Sequence, residues 1–289
     1  MTLFRLDELS AAGFEARLAA NPLVILPFGT TEWHSYHLPV GLDSLVAQQL
    51  SEEIAERFGA VLGPLTPWAV GGVPYPHTIR FAPDLIEKLM SSIFEQMSLL
   101  GFQTVLALTG HFGLEQTLAL KRAAFQVMRR SPLTIWAGGE FEPVAGLGYL
   151  GDHAAKWETA LLHALRPDLV DIDNISPETK LDGILGEDPR MVDYKTLGVE
   201  IHTQIIEAWS HIGEYLPRLN RLQREQYIEA LGIGVRILEK ITAERAIKPK
   251  SQVPSLNTRS YIAYLVALAG GDYPTAQIAA AMKLSNLAD

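Results

Sequence analysis

Thr30-Thr31-Glu32-Trp33-His34-Ser35-Tyr36-His37-Leu38-Pro39-Val40-Gly41-Leu42-Asp43 follows closely on the apolar run Leu23-Val24-Ile25-Leu26. That run is short, carries β-branched residues and is bracketed by Pro22 and Pro27, the pattern of a buried strand. The stretch after it holds Glu32, His34, His37 and Asp43 within fourteen residues. Carboxylates and imidazoles in one loop are ligand chemistry for zinc, manganese or iron(II). A loop at the end of a buried strand is also where an open α/β sheet places its active site.

Working outward, strand and helix patterns alternate. Ala60 to Leu65, Thr104 to Leu108 and Leu133 to Trp136 read as further strands, and Asp168 to Ile172 as a fifth. Between them, Asp43 to Phe58, Asp84 to Leu100, Leu114 to Arg130 and Ala154 to Leu165 have helical periodicity. Met191 to Trp209 and Glu225 to Glu244 are also helical, and Trp68 to Pro76 is a Gly/Pro loop. This alternation predicts a three-layer α/β/α sandwich around a mainly parallel sheet. Residues 1–247 would form that domain. After the polar linker Lys248 to Asn257, residues 248–289 read as a C-terminal helical extension with two helices around Gly270-Gly271-Asp272.

Composition narrows the function. The chain has 289 residues, a formal net charge of -9 and no block of Lys or Arg, which argues against nucleic acid and anionic membranes as partners. There is no cysteine, so any metal must be held by His, Asp and Glu. Met1 to Ala20 lacks the apolar core of a signal peptide, and no run is long enough to span a bilayer. The expectation is a cytoplasmic protein acting on a small molecule.

Three loops carry candidates: Glu32, His34 and Asp43; His111 after the strand Val105-Leu106-Ala107-Leu108; and Asp152, His153 and Glu158. In a parallel sheet the first two loops converge at one edge. Glu32 and His34, one residue apart, share a face of an extended segment. A carboxylate among these groups could bridge two metals about 3.5–4 Å apart, as in hydrolytic two-metal sites. His153 would remain for proton transfer. His77, His163, His202 and His211 read as ordinary surface or packing residues, Glu52, Glu53 and Glu56 as a solvated helix face.

These blocks resemble the creatininase family. Gly29 to Pro39 with Asp43 is similar to its Gly-Ser-x-Glu-x-His-Gly-x-His-Leu-Pro block and later Asp. Thr109-Gly110-His111-Phe112-Gly113 is similar to its Asn-Gly-His-Gly-Gly-Asn block, and Asp152 to Thr159 to its Asp-x-His-Ala-Gly-x-x-Glu-Thr-Ser block. A weaker echo is Gly183 to Pro189. The resemblance implies metal ligands Glu32, His34, Asp43 (bridging), His111 and Glu158, with His153 as the catalytic proton carrier. It implies two divalent ions, zinc or else manganese or iron(II), and a homohexamer. It also implies hydrolysis of a C–N bond in an amide, lactam or formamide, although some relatives open keto-inositol rings at a C–C bond.

This chain departs from the family at Ser35 (Gly), Tyr36 (Pro), Leu114 (Asn), Ala155 (Gly), Ala160 (Ser) and Gly72 (His). Gly113 stands where creatininases have Glu, and His77 where the family has Gly. The metal shell is intact and the substrate side is changed, which argues against creatinine itself. Ser35, Tyr36 and Trp157 are the expected substrate-facing residues. A catalytically degenerate, ligand-binding family member is the alternative.

Overall fold

The computed structural model describes residues 2–73, 77–175 and 181–287. The end of the loop expected over residues 68–76 and the last two residues of the C-terminal piece lie outside the described residues.

Five parallel strands form one sheet: β1 (Phe4–Arg5), β2 (Leu23–Phe28), β3 (Val61–Leu62), β4 (Thr104–Thr109) and β5 (Thr134–Gly139). Their order is β1-β3-β2-β4-β5. Every residue of β2, β4 and β5 is buried, as expected for strands covered on both faces. The helices are α1 (Ala11–Ala20), α2 (Leu42–Phe58), α3 (Pro83–Leu99), α4 (Leu114–Arg130) and α5 (Lys156–Leu165). They continue with α6 (Tyr194–Tyr215), α7 (Arg221–Ile247), α8 (Arg259–Ala269) and α9 (Tyr273–Ser285). α2 packs with α5 and α6, and α3 with α4, which in turn meets α7. The expected three-layer sandwich is therefore the observed fold.

The strand order positions the site. From β2 the chain runs through α2 to β3 on one side, and from β4 through α4 to β5 on the other. With right-handed crossovers these helices cover opposite faces, and a crevice opens beyond the ends of β2 and β4. Phe28 and Thr109 are paired at those ends, so the loops carrying Glu32 and His111 start side by side.

The fifth strand expected at Asp168 to Ile172 is not one. Residues Pro167–Leu169 and Ile172–Asn174 form two short 3-10 turns instead. Asp168 holds the Arg166 side chain at 2.9 and 2.7 Å, and Pro167 with Asp171 and Asp173 supplies turn chemistry that competes with a ladder. The fifth strand is Phe4–Arg5, which pairs with Val61 and Leu62. Two residues are too few to show an alternation.

The C-terminal third is tied to the sheet through α7. A capping box at Asn220 and Gln223 starts this helix. Arg224 then donates to the carbonyls of Met128, Ser131 and Leu133 at 2.8–2.9 Å, satisfying groups that the end of α4 leaves open. Tyr227 donates to Ile135 O at 2.7 Å, and its ring stacks on Trp136. α9 packs on α7, and α8 packs on the 3-10 segment Glu142–Leu147.

Candidate metal centre

All three loops meet. His34 Nε2 lies 3.1 Å from Asp43 Oδ1 and 3.5 Å from Glu158 Oε2. His111 Nδ1 lies 3.0 Å from both Glu32 Oε2 and Asp43 Oδ2. His153 Nδ1 is 3.7 Å from Glu32 Oε1, and its ring packs 4.5 Å from that of His34. Two sets of candidate ligand atoms result, Glu32 with Asp43 and His111, and His34 with His153 and Glu158, each gathered within 4.8 Å. Asp43 touches both sets, one oxygen to each.

Local structure explains the convergence. Asp43 sits in the first turn of α2 and Glu158 in the first turn of α5, ends that favour a carboxylate. Gly110 lets the loop after β4 close onto α2, since a Cβ there would lie 2.3 Å from the Asp43 carbonyl oxygen. Asp152 accepts from the backbone of Trp157 (2.8 Å) and Glu158 (3.2 Å), fixing the start of α5. Antiparallel pairing of His153 with Leu185 brings in the loop around Gly183.

The three imidazoles are oriented alike. His34 Nδ1 donates to Glu32 O (2.9 Å), His111 Nε2 to Val70 O (3.0 Å) and His153 Nε2 to Trp33 O (2.8 Å). A ring nitrogen committed to a carbonyl leaves the opposite nitrogen with its lone pair, the arrangement found behind metal-bound histidines. The opposite nitrogens of His34 and His111 face carboxylate oxygens at 3.0–3.1 Å, while that of His153 stands 3.7 Å from Glu32 Oε1. Lone pair against lone pair is stable only with a cation between them, either a proton or a metal ion.

The electrostatics agree. Burial works against charge on His111, yet Asp43 and Glu32 hold its pKa up to about 10. Burial also opposes charge on His34, and Asp43 raises it nonetheless. Glu158 is pushed well above the usual carboxylate range by burial, then by Asp43 and Asp152. Neither oxygen of Asp43 nor Nε2 of His34 meets hydrogen-bond geometry, although all are buried. Buried polar atoms are normally satisfied. The donor set is nitrogen and oxygen only, so these residues fit divalent zinc, manganese or iron(II).

Other sequence candidates fall elsewhere. His37 Nε2 bonds Thr159 Oγ1 at 2.9 Å, and burial, then His34, pushes its pKa down to about 4. His202 pairs with Glu53 at 3.0 Å. A cavity of about 440 Å³ opens over Glu32, His111, His153 and Glu158. Ser35, Tyr36 and Trp157 are not among the residues lining it. Tyr36 is 54% exposed and meets Trp33 edge-on, and Trp157 stacks on Tyr149. Gly72 lies against the centre: a Cβ there would come within 3.0 Å of Glu32 Oε1 and 3.1 Å of His111 Cε1. Arg245, on α7, also lines the cavity, and no motif in the sequence singled it out.

Ser35 keeps a left-handed backbone, φ +58°, at the position where the resemblance places Gly. That conformation costs an L-residue about 1–2 kcal/mol, against about 0.5–1 kcal/mol for the extra chain entropy of glycine. Ser35→Gly is therefore expected to raise stability by about 0.5–1 kcal/mol in urea titration. A loss of stability would show that the serine side chain carries more than this strain.

An α/β/α sandwich with His and carboxylate groups converging beyond the ends of β2 and β4 defines a candidate metal centre on a mainly parallel sheet. Residues 7–200, more than half the chain, match the family model described as Creatininase: Creatinine amidohydrolase. The chain belongs to the creatininase family. It is 27% identical over 192 residues to the creatinine amidohydrolase of Pseudomonas putida, covering 58% of this chain and 74% of that one. It is 26% identical over 166 residues to the mycofactocin precursor peptide peptidase of Mycolicibacterium smegmatis, covering 53% and 62%. The crystal structure of a creatinine amidohydrolase superposes with a TM-score of 0.65 at 20% identity, over 75% of this chain and 99% of that one. A structure titled "Creatininase Mn" gives the same score at 20% identity, over 75% and 100%. Among the described residues, no helix is long and apolar enough to cross a membrane.

Proposed function

We propose that this chain is a metal-dependent hydrolase cleaving a C–N bond in a small amide, lactam or formamide other than creatinine. The observation that carries the reading is Asp43, whose two buried oxygens face His34 and His111 on different loops without hydrogen bonds to either. Glu32, His34, Asp43, His111 and Glu158 would hold two divalent ions, with Asp43 shared. Two such ions supply an acidified water and an electrophilic clamp on the carbonyl oxygen.

The chain's own residues do the rest. His153 Nδ1 accepts a proton from the attacking water and delivers it to the departing nitrogen. Water thus adds OH to the acyl carbon and H to nitrogen, giving a carboxylic acid and an amine. The Trp33 carbonyl holds the His153 tautomer that leaves Nδ1 free. Gly72 leaves the approach to Glu32 and His111 open to a substrate bulkier than creatinine. The peptidase-named relative favours an amide over the C–C bond of a cyclic ketone. His153 as a further ligand is the second reading, because its Nδ1 gathers with His34 and Glu158. Ser35, Tyr36 and Trp157 as contacts to an outer part of the substrate, the division at residues 247 and 248, a homohexamer and a cytoplasmic location belong to the same proposal.

Metal analysis of the purified protein beside Glu32→Gln and His111→Ala tests it, followed by turnover on formamides, lactams and keto-inositols. Both variants are expected to lose metal, and only C–N substrates to turn over. Full metal in both variants would sink the ligand assignment. Metal without turnover of any compound would favour a ligand-binding member that no longer catalyses.

A further inference from the structure

The cavity above the centre does not end there. A second cavity of about 420 Å³ shares Phe112, Leu114, Asp152, His153, Leu185 and Arg245 with the first. The two are lobes of one cleft. The second lobe has an apolar wall of Phe141, Leu150, Leu238, Val253 and Leu256, and polar groups of Thr117, Ser255 and Asn257 line the rest of it. About half of its walls, including Leu238, Val253 and Leu256, come from beyond residue 200, where the family match stops.

Arg245 lines both lobes and is the one Lys or Arg among the described residues lining either. It is exposed, and no carboxylate lies within ion-pair distance of it among the described residues. Thr242 precedes it by three residues, on the same face of α7, and lines the first lobe. Its hydroxyl is buried without a hydrogen-bond partner. An unpaired guanidinium thus sits at the junction of the reactive lobe and the second lobe, and an unpaired hydroxyl lines the reactive lobe one helical turn before it. Nearby Asp152 does not compete for Arg245, because both its oxygens are committed to the start of α5.

We propose that Arg245 is a specificity-determining residue that binds a substrate carboxylate, assisted by Thr242, and that the substrate is an N-acyl amino acid or related amide acid with an apolar side chain. This rests on the C–N hydrolysis reading of the centre. The amide lies over His153, the carboxylate on Arg245, and the apolar group in the second lobe. A single guanidinium matches a monoanionic carboxylate through its two-pronged fork. The position of Arg245 in the last turn of α7 also complements the helix dipole, a role that predicts no preference between ligands.

The test uses N-formyl-L-leucine and its neutral counterpart N-formyl-L-leucinamide. Their dissociation constants are measured by calorimetry on metal-loaded wild type, Arg245→Ala and Arg245→Lys. Wild type is expected to prefer the acid by about 10- to 100-fold, the range of a charge-assisted pair. Arg245→Ala should bring the ratio near one, with Arg245→Lys between. Equal affinities in wild type, a preference retained in Arg245→Ala, or no binding of either probe would overturn the proposal. Release of formate is read separately. Preference in binding without formate release leaves the ligand class standing and removes C–N hydrolysis.

Discussion

Asp43→Asn is expected to strip the centre of its metal and to lower hydrolysis by about 1000-fold or more. Changes to groups that merely orient ligands cost about 10- to 100-fold in metal affinity or activity. Asp43 is placed to do more, because its two oxygens reach His34 at 3.1 Å and His111 at 3.0 Å. An amide presents one oxygen and one nitrogen donor, so at most one of the two sets keeps its oxygen. Metal content by elemental analysis reads the outcome directly. Two ions per chain in Asp43→Asn would refute the shared-ligand role.

The proton that stands in for the metal gives the same prediction a pH dependence. In the metal-free protein the His111 pKa is held up to about 10, above its ordinary value of about 6.5. The stability it contributes is fully present below about pH 6.5 and is lost as pH rises through about 10. Metal binding needs the same nitrogen deprotonated. Affinity should therefore rise with pH over that interval, and loading at pH 7 should release protons. Titration calorimetry in two buffers of different ionisation enthalpy measures that release, which Asp43→Asn should diminish.

His153→Gln is expected to lower turnover of N-formyl-L-leucine by about 10²–10⁴-fold while the metal stays bound. In the metal-free protein burial, then His34, pushes the His153 pKa down to about 4, so the ring is neutral at working pH with a lone pair on one nitrogen. Its Nδ1 is the free nitrogen, since Nε2 is engaged by Trp33 O at 2.8 Å. Glutamine keeps much of the volume and loses the base. Loss of one metal in this variant would instead make His153 a ligand, the reading left open by its grouping with His34 and Glu158.

Much of the centre was legible in the chain because its chemistry is local. Glu32, His34 and Asp43 lie within twelve residues, from the loop after β2 into the first turn of α2, and the start of α5 gathers Asp152, His153 and Glu158 within seven residues. The strands of the central sheet were legible because burial on both faces demands unbroken apolar runs, as in Thr104–Thr109. The edge was not. Phe4–Arg5 is held by a neighbour more than fifty residues away, and the bend at Asp168 to Ile172 is made by backbone hydrogen bonds from Leu169 to Arg166 and from Val170 to Pro167.

The sequence by itself determined the sandwich, the absence of thiolate chemistry and the candidate ligands, because period, composition and motif are properties of short stretches. Only the tertiary structure decided which nitrogen of each histidine faces the carboxylates, since that choice is made by carbonyls of Glu32, Val70 and Trp33. It also decided what roofs the site. Arg245 lies more than two hundred residues from Glu32 in the chain. It reaches the cleft because Arg224 and Tyr227 bind α7 to the end of α4 and to β5, long-range hydrogen bonds that no local pattern records.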